Sequence, residues 1–468
     1  MMQKLVFFFP WPEVSGGPFF LSRLANEASR RKLYEVYYTD YPNGLCESLL
    51  EDRNVRVLKY ENEGKDFEIF PEEPVVLVMA EYWAHMVPVV HPQTKIVFFN
   101  WHNECIPVLQ RDWCASDRYI EKFLRLVRDT SSVFFCDQTH WLAHARGGII
   151  AAEQYVPITV ENRNRVASRK LIKEGERNIA VLGRLCLDKI YAVLDLLDHI
   201  VRLRDKVKTN VYIIGEGDQE FRLKNRRFPD HVKLIWCGTL KIRDVVALLA
   251  RRVDILFAMG TSVLEGADIR LPSVIIPNDI KPFECNRYPY VFESKGYSLG
   301  WYPEQIDDLG LETHTLEEIF CDIYEKGRKA ELGMRCYEYY TRNHMRNMDL
   351  FLQAVENSSL TRAKYQEFVR RNPNWKMLKW IVADRLRKFH GYTQKRFSIF
   401  GFPLYTHTKT NDIHSNIFIC CIPLLRINHI GPTITVHLLP LVWGWRVVQK
   451  SVSILLNLLF GKREDEKK

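Results

Sequence analysis

Between residues 179 and 277 the chain passes repeatedly from an apolar run into a glycine or a cation and then into a helical pattern. First comes Gly183-Arg184-Leu185 with Lys189, then Ile213-Ile214-Gly215-Glu216-Gly217, then Gly260-Thr261-Ser262-Val263-Leu264-Glu265-Gly266-Ala267. Strands that hand over to helices at such intervals build an open parallel sheet, and its carboxyl edge is where phosphorylated ligands bind.

Strand patterns are predicted at 179–182, 210–214, 232–236, 255–258 and 273–276, with helices at 190–204, 243–251 and 263–269. The same rhythm runs earlier, with strands at 5–9, 35–39, 75–79, 96–100 and 133–136. A helix at 18–31 carries Leu21, Leu24, Ala25 and Ala28 on one face. Residues 160–177 are polar, lack apolar periodicity and are read as a linker. The expected fold class is α/β, with two Rossmann-like doubly wound domains facing a cleft. The expected limits are 1–160 and 170–345, followed by a basic helical segment at 346–396 and a short β repeat with an apolar and basic tail at 397–468.

Composition fits a core-forming globular chain: of 468 residues, 47% are hydrophobic and 26% charged, which excludes a disordered protein. The opening apolar run stops at Pro10 without a small-residue cleavage site and is read as a buried strand, not a signal peptide. No window reaches a membrane span; 433–445 comes nearest. The eleven cysteines have irregular spacing, with no C-x-x-C pair and no His cluster at metal-ligand distances. Cys136 and Cys186 lie in or beside apolar strands, as reduced core thiols do, so the expected compartment is the cytosol.

The net charge of +9 is concentrated: residues 362–396 hold eleven Lys or Arg against two acids. Within them, Trp375, Leu378, Val382, Leu386 and Phe389 fall on one face of a predicted helix at 375–389. Such a helix either lies on an anionic membrane surface, helped by the apolar stretch at 433–460, or packs its apolar face on the second domain. No recognised binding module accompanies the charge, so nucleic acid is not expected as a partner. The segments 397–404 and 417–424 repeat at an offset of twenty residues and are read as a strand pair.

Over residues 1–356, and most clearly over 179–277, the chain resembles retaining glycosyltransferases of the GT-B fold, family 4-like. Arg184 and Lys189 match that family's Gly-Arg-Leu and following lysine, and the resemblance implies that they contact the donor phosphates; the plainer alternative is two solvated cations beside a helix start. Gly260, Thr261 and Ser262 would present amides to an anion. Glu265 matches the second of two glutamates and would hold the ribose, although Ser262-Val-Leu-Glu265 is also a capping-box pattern. The position of the first glutamate is Phe257, so no carboxylate stands there.

Gly16 and Gly17 resemble the family's glycine loop, and Gly215 its turn beside the nucleotide base; a tight turn alone also explains either. His102, after the strand at 96–100, matches the histidine near the donor sugar and alternatively is an ordinary loop residue. Glu81, Trp83 and His85 follow another strand and either line the acceptor side or are loop and core; their spacing does not require the first, and they are read as the second.

The resemblance implies an enzyme that moves a sugar from a nucleotide-sugar donor to a glycan or lipid-linked acceptor in bacterial surface polysaccharide or lipopolysaccharide synthesis. It would be cytoplasmic or peripheral on the inner membrane, with no metal and no cofactor beyond the donor. Loss of the first glutamate leaves open either a divergent member that uses backbone groups of 259–262 in its place or a non-catalytic nucleotide-sugar or glycan-binding partner, and a separate alternative keeps the fold with the reaction of a GT-B-type sugar-nucleotide epimerase.

Overall fold

The computed structural model describes residues 2–10, 16–42, 44–60, 67–103, 105–112, 115–160 and 175–372, and the backbone of further strands between 383 and 438. It divides into two compact units, 1–374 and 375–468.

The first unit opens with β1 (Lys4–Phe8), β2 (Glu35–Asp40), β3 (Arg56–Lys59), β4 (Val76–Ala80), β5 (Lys95–Asn100) and β6 (Val133–Phe135). They form one parallel sheet in the order β3-β2-β1-β4-β5-β6, which is the Rossmann order. Both faces of this sheet are covered, which is why β1 reads as unbroken apolar sequence: Leu5, Phe7 and Phe9 join one core, and Val6 and Phe8 the other. The helix Gly16–Arg30 covers the first face and the helix Asp117–Asp129 the second.

A second parallel sheet follows, from β7 (Glu176–Leu182), β8 (Lys208–Ile214), β9 (Val232–Gly238), β10 (Ile255–Ala258) and β11 (Ser273–Ile275), in the order β11-β10-β7-β8-β9. The two sheets with flanking helices make the two-domain α/β layout of the GT-B fold. The linker expected to reach 177 ends sooner, since β7 starts at Glu176. Arg177 is buried there by its pairing with Asp205 and by the Phe320 ring, 4.7 Å from its guanidinium.

The chain crosses between the lobes twice, and the crossings are tied together. Tyr340 donates to the Val160 carbonyl at 2.8 Å, and His344 Nδ1 lies 2.7 Å from the Ile158 carbonyl oxygen. After the second crossing the helices Asn347–Asn357 and Arg362–Arg371 return to the first sheet. Phe351 stacks on Phe7 at 5.8 Å, and Tyr365 meets Phe98 edge-on at 5.9 Å.

The second unit holds β12 (Ala383–Phe389), β13 (Tyr392–Ile399), β14 (Phe402–Thr410), β15 (His414–Ile419), β16 (Ile422–Ile430) and β17 (Thr433–Leu438), an antiparallel meander in chain order. The predicted helix at 375–389 is therefore corrected over 383–389, where β12 pairs with β13 from Ala383↔Ser398 to Phe389↔Tyr392; 375–382 lie outside the described residues. Cross-strand pairing along the whole strand overrides an apolar spacing that also suits a helix.

The repeat is corrected too. Its copies are not partners in one pair; each spans the tip of its own hairpin, with Ile399↔Phe402 and Ile419↔Ile422 as the last pairs. Both hairpins shift register at the same point of the repeat, Phe397/Ser398 and Ile417/Phe418, opposite Pro403 and Pro423. A bulge accommodates a residue that has no N–H to give to the ladder. Most of the 433–460 stretch, from 439 on, lies outside the described residues, and no helix among those described is long and apolar enough to cross a membrane.

Candidate functional site

In the second lobe the loops after β7, β8 and β9 are laced together by backbone hydrogen bonds. Gly183 donates to Ile214, Leu185 to Glu216 and Gly215 to Gly238, all at 2.9–3.0 Å. This lacing explains the Gly-Glu-Gly turn. Gly215 has φ +123°, and a Cβ on it would overlap the Gly183 carbonyl, as one on Gly217 would overlap that of Leu185. The glycines let two backbones approach closely, which sets the Gly183-Arg184-Leu185 segment at the carboxyl edge.

Arg184 is exposed there, while Lys189, in the first turn of the helix Leu187–Arg202, is half-buried with its Cδ beside Gly183. Neither enters an ion pair among the described residues. A lysine at the positive end of a helix is locally unfavourable, and the nearby Asp188 offsets it. Cys186 sits among all three: burial pushes its thiol up to about 11, Asp188 pushes the same way, and Lys189 and Arg184 oppose.

At the carboxyl end of β10, the neighbour of β7, lies the helix Thr261–Asp268. Gly260 is its N-cap at φ +57°, a left-handed conformation, and the space where its Cβ would point is open. The capping-box alternative is thereby corrected: Ser262 is the second residue of the helix, and no side chain caps its start. Thr261 and Ser262 are half-buried and supply the first-turn amides.

Phe257 is fully buried and meets Tyr288 edge-on at 6.0 Å. Only Met259 and Gly260 separate β10 from the following helix, and neither carries a carboxylate. Glu265 is also buried, at 3% exposure, and its Oε1 lies 4.0 Å from Nη2 of Arg23, on the first lobe's helix Gly16–Arg30.

In the first lobe Gly16 and Gly17 start that helix. A Cβ on Gly17 would stand 3.0 Å from the Phe9 ring and 3.5 Å from Trp101, whereas Gly16 faces open space. Next to Trp101, His102 is exposed. Desolvation and then His140 push its pKa down, against the pull of Asp188 from the second lobe. The lobes touch where Gln138 N donates to the Gly296 carbonyl at 2.8 Å.

Sequence reasoning missed a buried network at the carboxyl end of β4. Glu81 follows β4, is fully buried, and lies 2.7 Å from His144 Nε2 while accepting from Asn100 Nδ2 at 2.6 Å. A charge at the end of an all-apolar strand was the one signal for it.

No protein-family description matches the chain, and no curated protein does. Among solved structures it is similar to Anabaena HepE in complex with UDP and glucose, at 12% identity and a TM-score of 0.46, over 77% of this chain and 100% of that one. It is also similar to the trehalose-6-phosphate synthase OtsA, at 10% and 0.49, over 76% and 99%. A third is WaaG, a glycosyltransferase involved in lipopolysaccharide biosynthesis, at 12% and 0.42, over 76% and 99%.

Proposed function

We propose that this chain is a glycosyltransferase that moves a sugar from a nucleotide-sugar donor to a glycan or lipid-linked acceptor in bacterial surface polysaccharide or lipopolysaccharide synthesis. One observation carries the proposal: Arg184 and Lys189 flank the start of the helix Leu187–Arg202, at the carboxyl edge of the second parallel sheet.

As the glycosidic bond breaks, negative charge grows on the departing nucleoside diphosphate. Fixed cations and first-turn amides stabilise that charge more than they stabilise the intact donor, and no protein nucleophile is needed. In this reading Arg184 and Lys189 hold the diphosphate, and the Gly260, Thr261 and Ser262 segment caps it. Glu265 takes the ribose, Gly215 borders the base, and Gly16 and Gly17 let the first lobe's backbone approach. His102, its pKa held down, stays neutral at pH 7 and offers the sugar a hydrogen-bonding ring. Retention at the anomeric carbon, independence from metals, and work at the cytoplasmic face of the inner membrane belong to the same proposal.

Consumption of nucleotide sugars by Arg184→Ala and Lys189→Ala is the test; wild-type rates in both would refute the assignment. A second reading has one observation in its favour, the two-residue connection at Met259 and Gly260, which carries no acid. On that reading the chain binds the donor without turning it over, and slow donor hydrolysis by the wild type would exclude it.

A further inference from the structure

Glu265 has a cation of the opposite lobe within 4.0 Å. Arg23 projects from the helix Gly16–Arg30 of the first lobe, with its side chain 27% exposed. Its Nη1 donates to the Thr159 carbonyl on the first crossing between lobes, and its Nη2 stands 4.0 Å from the Glu265 carboxylate. The adjoining positions are fixed as well: Tyr340 holds Val160, and His344 holds Ile158, both from the second crossing. Glu265 itself is 3% exposed on a short helix of the second lobe, which also buries Asp268 completely. A carboxylate that deep in protein needs a compensating cation. The first lobe provides one.

We infer that Arg23 is a positioning residue for the donor site: it holds the Glu265 carboxylate in charge and in place, so that the sugar-hydroxyl acceptor of the second lobe is complete only when the first lobe is docked. This rests on the proposed donor reading. The chemistry it predicts is recognition of a ribose diol, where an ionised carboxylate accepts hydrogen bonds from two neighbouring hydroxyls. The donor's ribose would thus be read by both lobes, although Arg23 never touches it.

The test uses the full chain with UDP, GDP and ADP and their 2′-deoxy counterparts, read by calorimetry. Wild type is expected to prefer the ribonucleotide of its own base by about tenfold or more. Arg23→Gln and Glu265→Gln should each collapse that preference to about threefold or less, Arg23→Lys should restore part of it, and the double variant should lose no more than either single. Retention of the preference in Arg23→Gln would overturn the inference. So would tighter ribonucleotide binding, because Arg23 would then be obstructing the site.

If wild type binds none of the six nucleotides, the functional reading and the ribose role fall together. The ionic tie is then judged by urea unfolding of the same variants. Non-additive losses support it, and additive losses overturn it.

Discussion

Gly215 lies so close to Gly183 that the two residues cannot both keep their backbone paths if Gly215 carries a side chain. Gly215→Ala should therefore cost about 2 kcal/mol or more, from the clash and from its φ of +123°. Gly16→Ala, with open space in front of it, should stay within about 0.5 kcal/mol of wild type. Urea unfolding of the two variants side by side checks this contrast; equal losses would contradict it.

At the end of β4, removal of Glu81 should strand two buried partners. Glu81→Ala is expected to destabilise by about 3–5 kcal/mol, since it leaves His144 and Asn100 without their shared acceptor. Glu81→Gln should cost clearly less, because an amide still meets both groups. Thermal melts of the two variants decide, and equal melting temperatures would show that hydrogen bonding at this position contributes nothing.

His344, at the crossing between lobes, gives the pH dependence a sign. Burial pushes its pKa down to about 4, against a hydrogen bond to the Ile158 carbonyl that pulls the other way. The unfolded chain binds this proton near pH 6.5 and the folded chain only near 4, so the contribution is whole above 6.5 and is lost as pH falls toward 4. It amounts to about 3 kcal/mol at most. Denaturant midpoints at pH 7 and pH 4.5 should differ by more in wild type than in His344→Gln; an equal drop in both would remove His344 as the source.

Much of the scaffold was legible in sequence because buried parallel strands are short apolar runs that end in a change of residue type. The strand at 255–258, and the helix expected at 263–269 and found at Thr261–Asp268, are examples. What escaped depends on residues far apart in the chain. Glu81 meets His144 across 63 positions, and Arg23 reaches Glu265 from the other lobe. The Gly-Glu-Gly turn could be read as a turn, but its reason, the approach to Gly183 and Leu185, lies in a neighbouring loop. At 383–389 the residues Leu386 and Phe389 suit a helical stripe and also a strand, and pairing with β13 decides between them. The meaning of Phe257 was partly legible: the missing acid could be seen, but not that the loop to bear it is only two residues long.

The central claim is that Arg184 and Lys189 grip a diphosphate. Calorimetric titration of wild type, Arg184→Ala and Lys189→Ala with a nucleoside diphosphate and with the matching nucleoside tests it most directly. Wild type should bind the diphosphate far more tightly than the nucleoside, and each variant should weaken diphosphate binding by about tenfold or more while leaving the nucleoside unchanged. Diphosphate binding by both variants at wild-type strength would contradict the account.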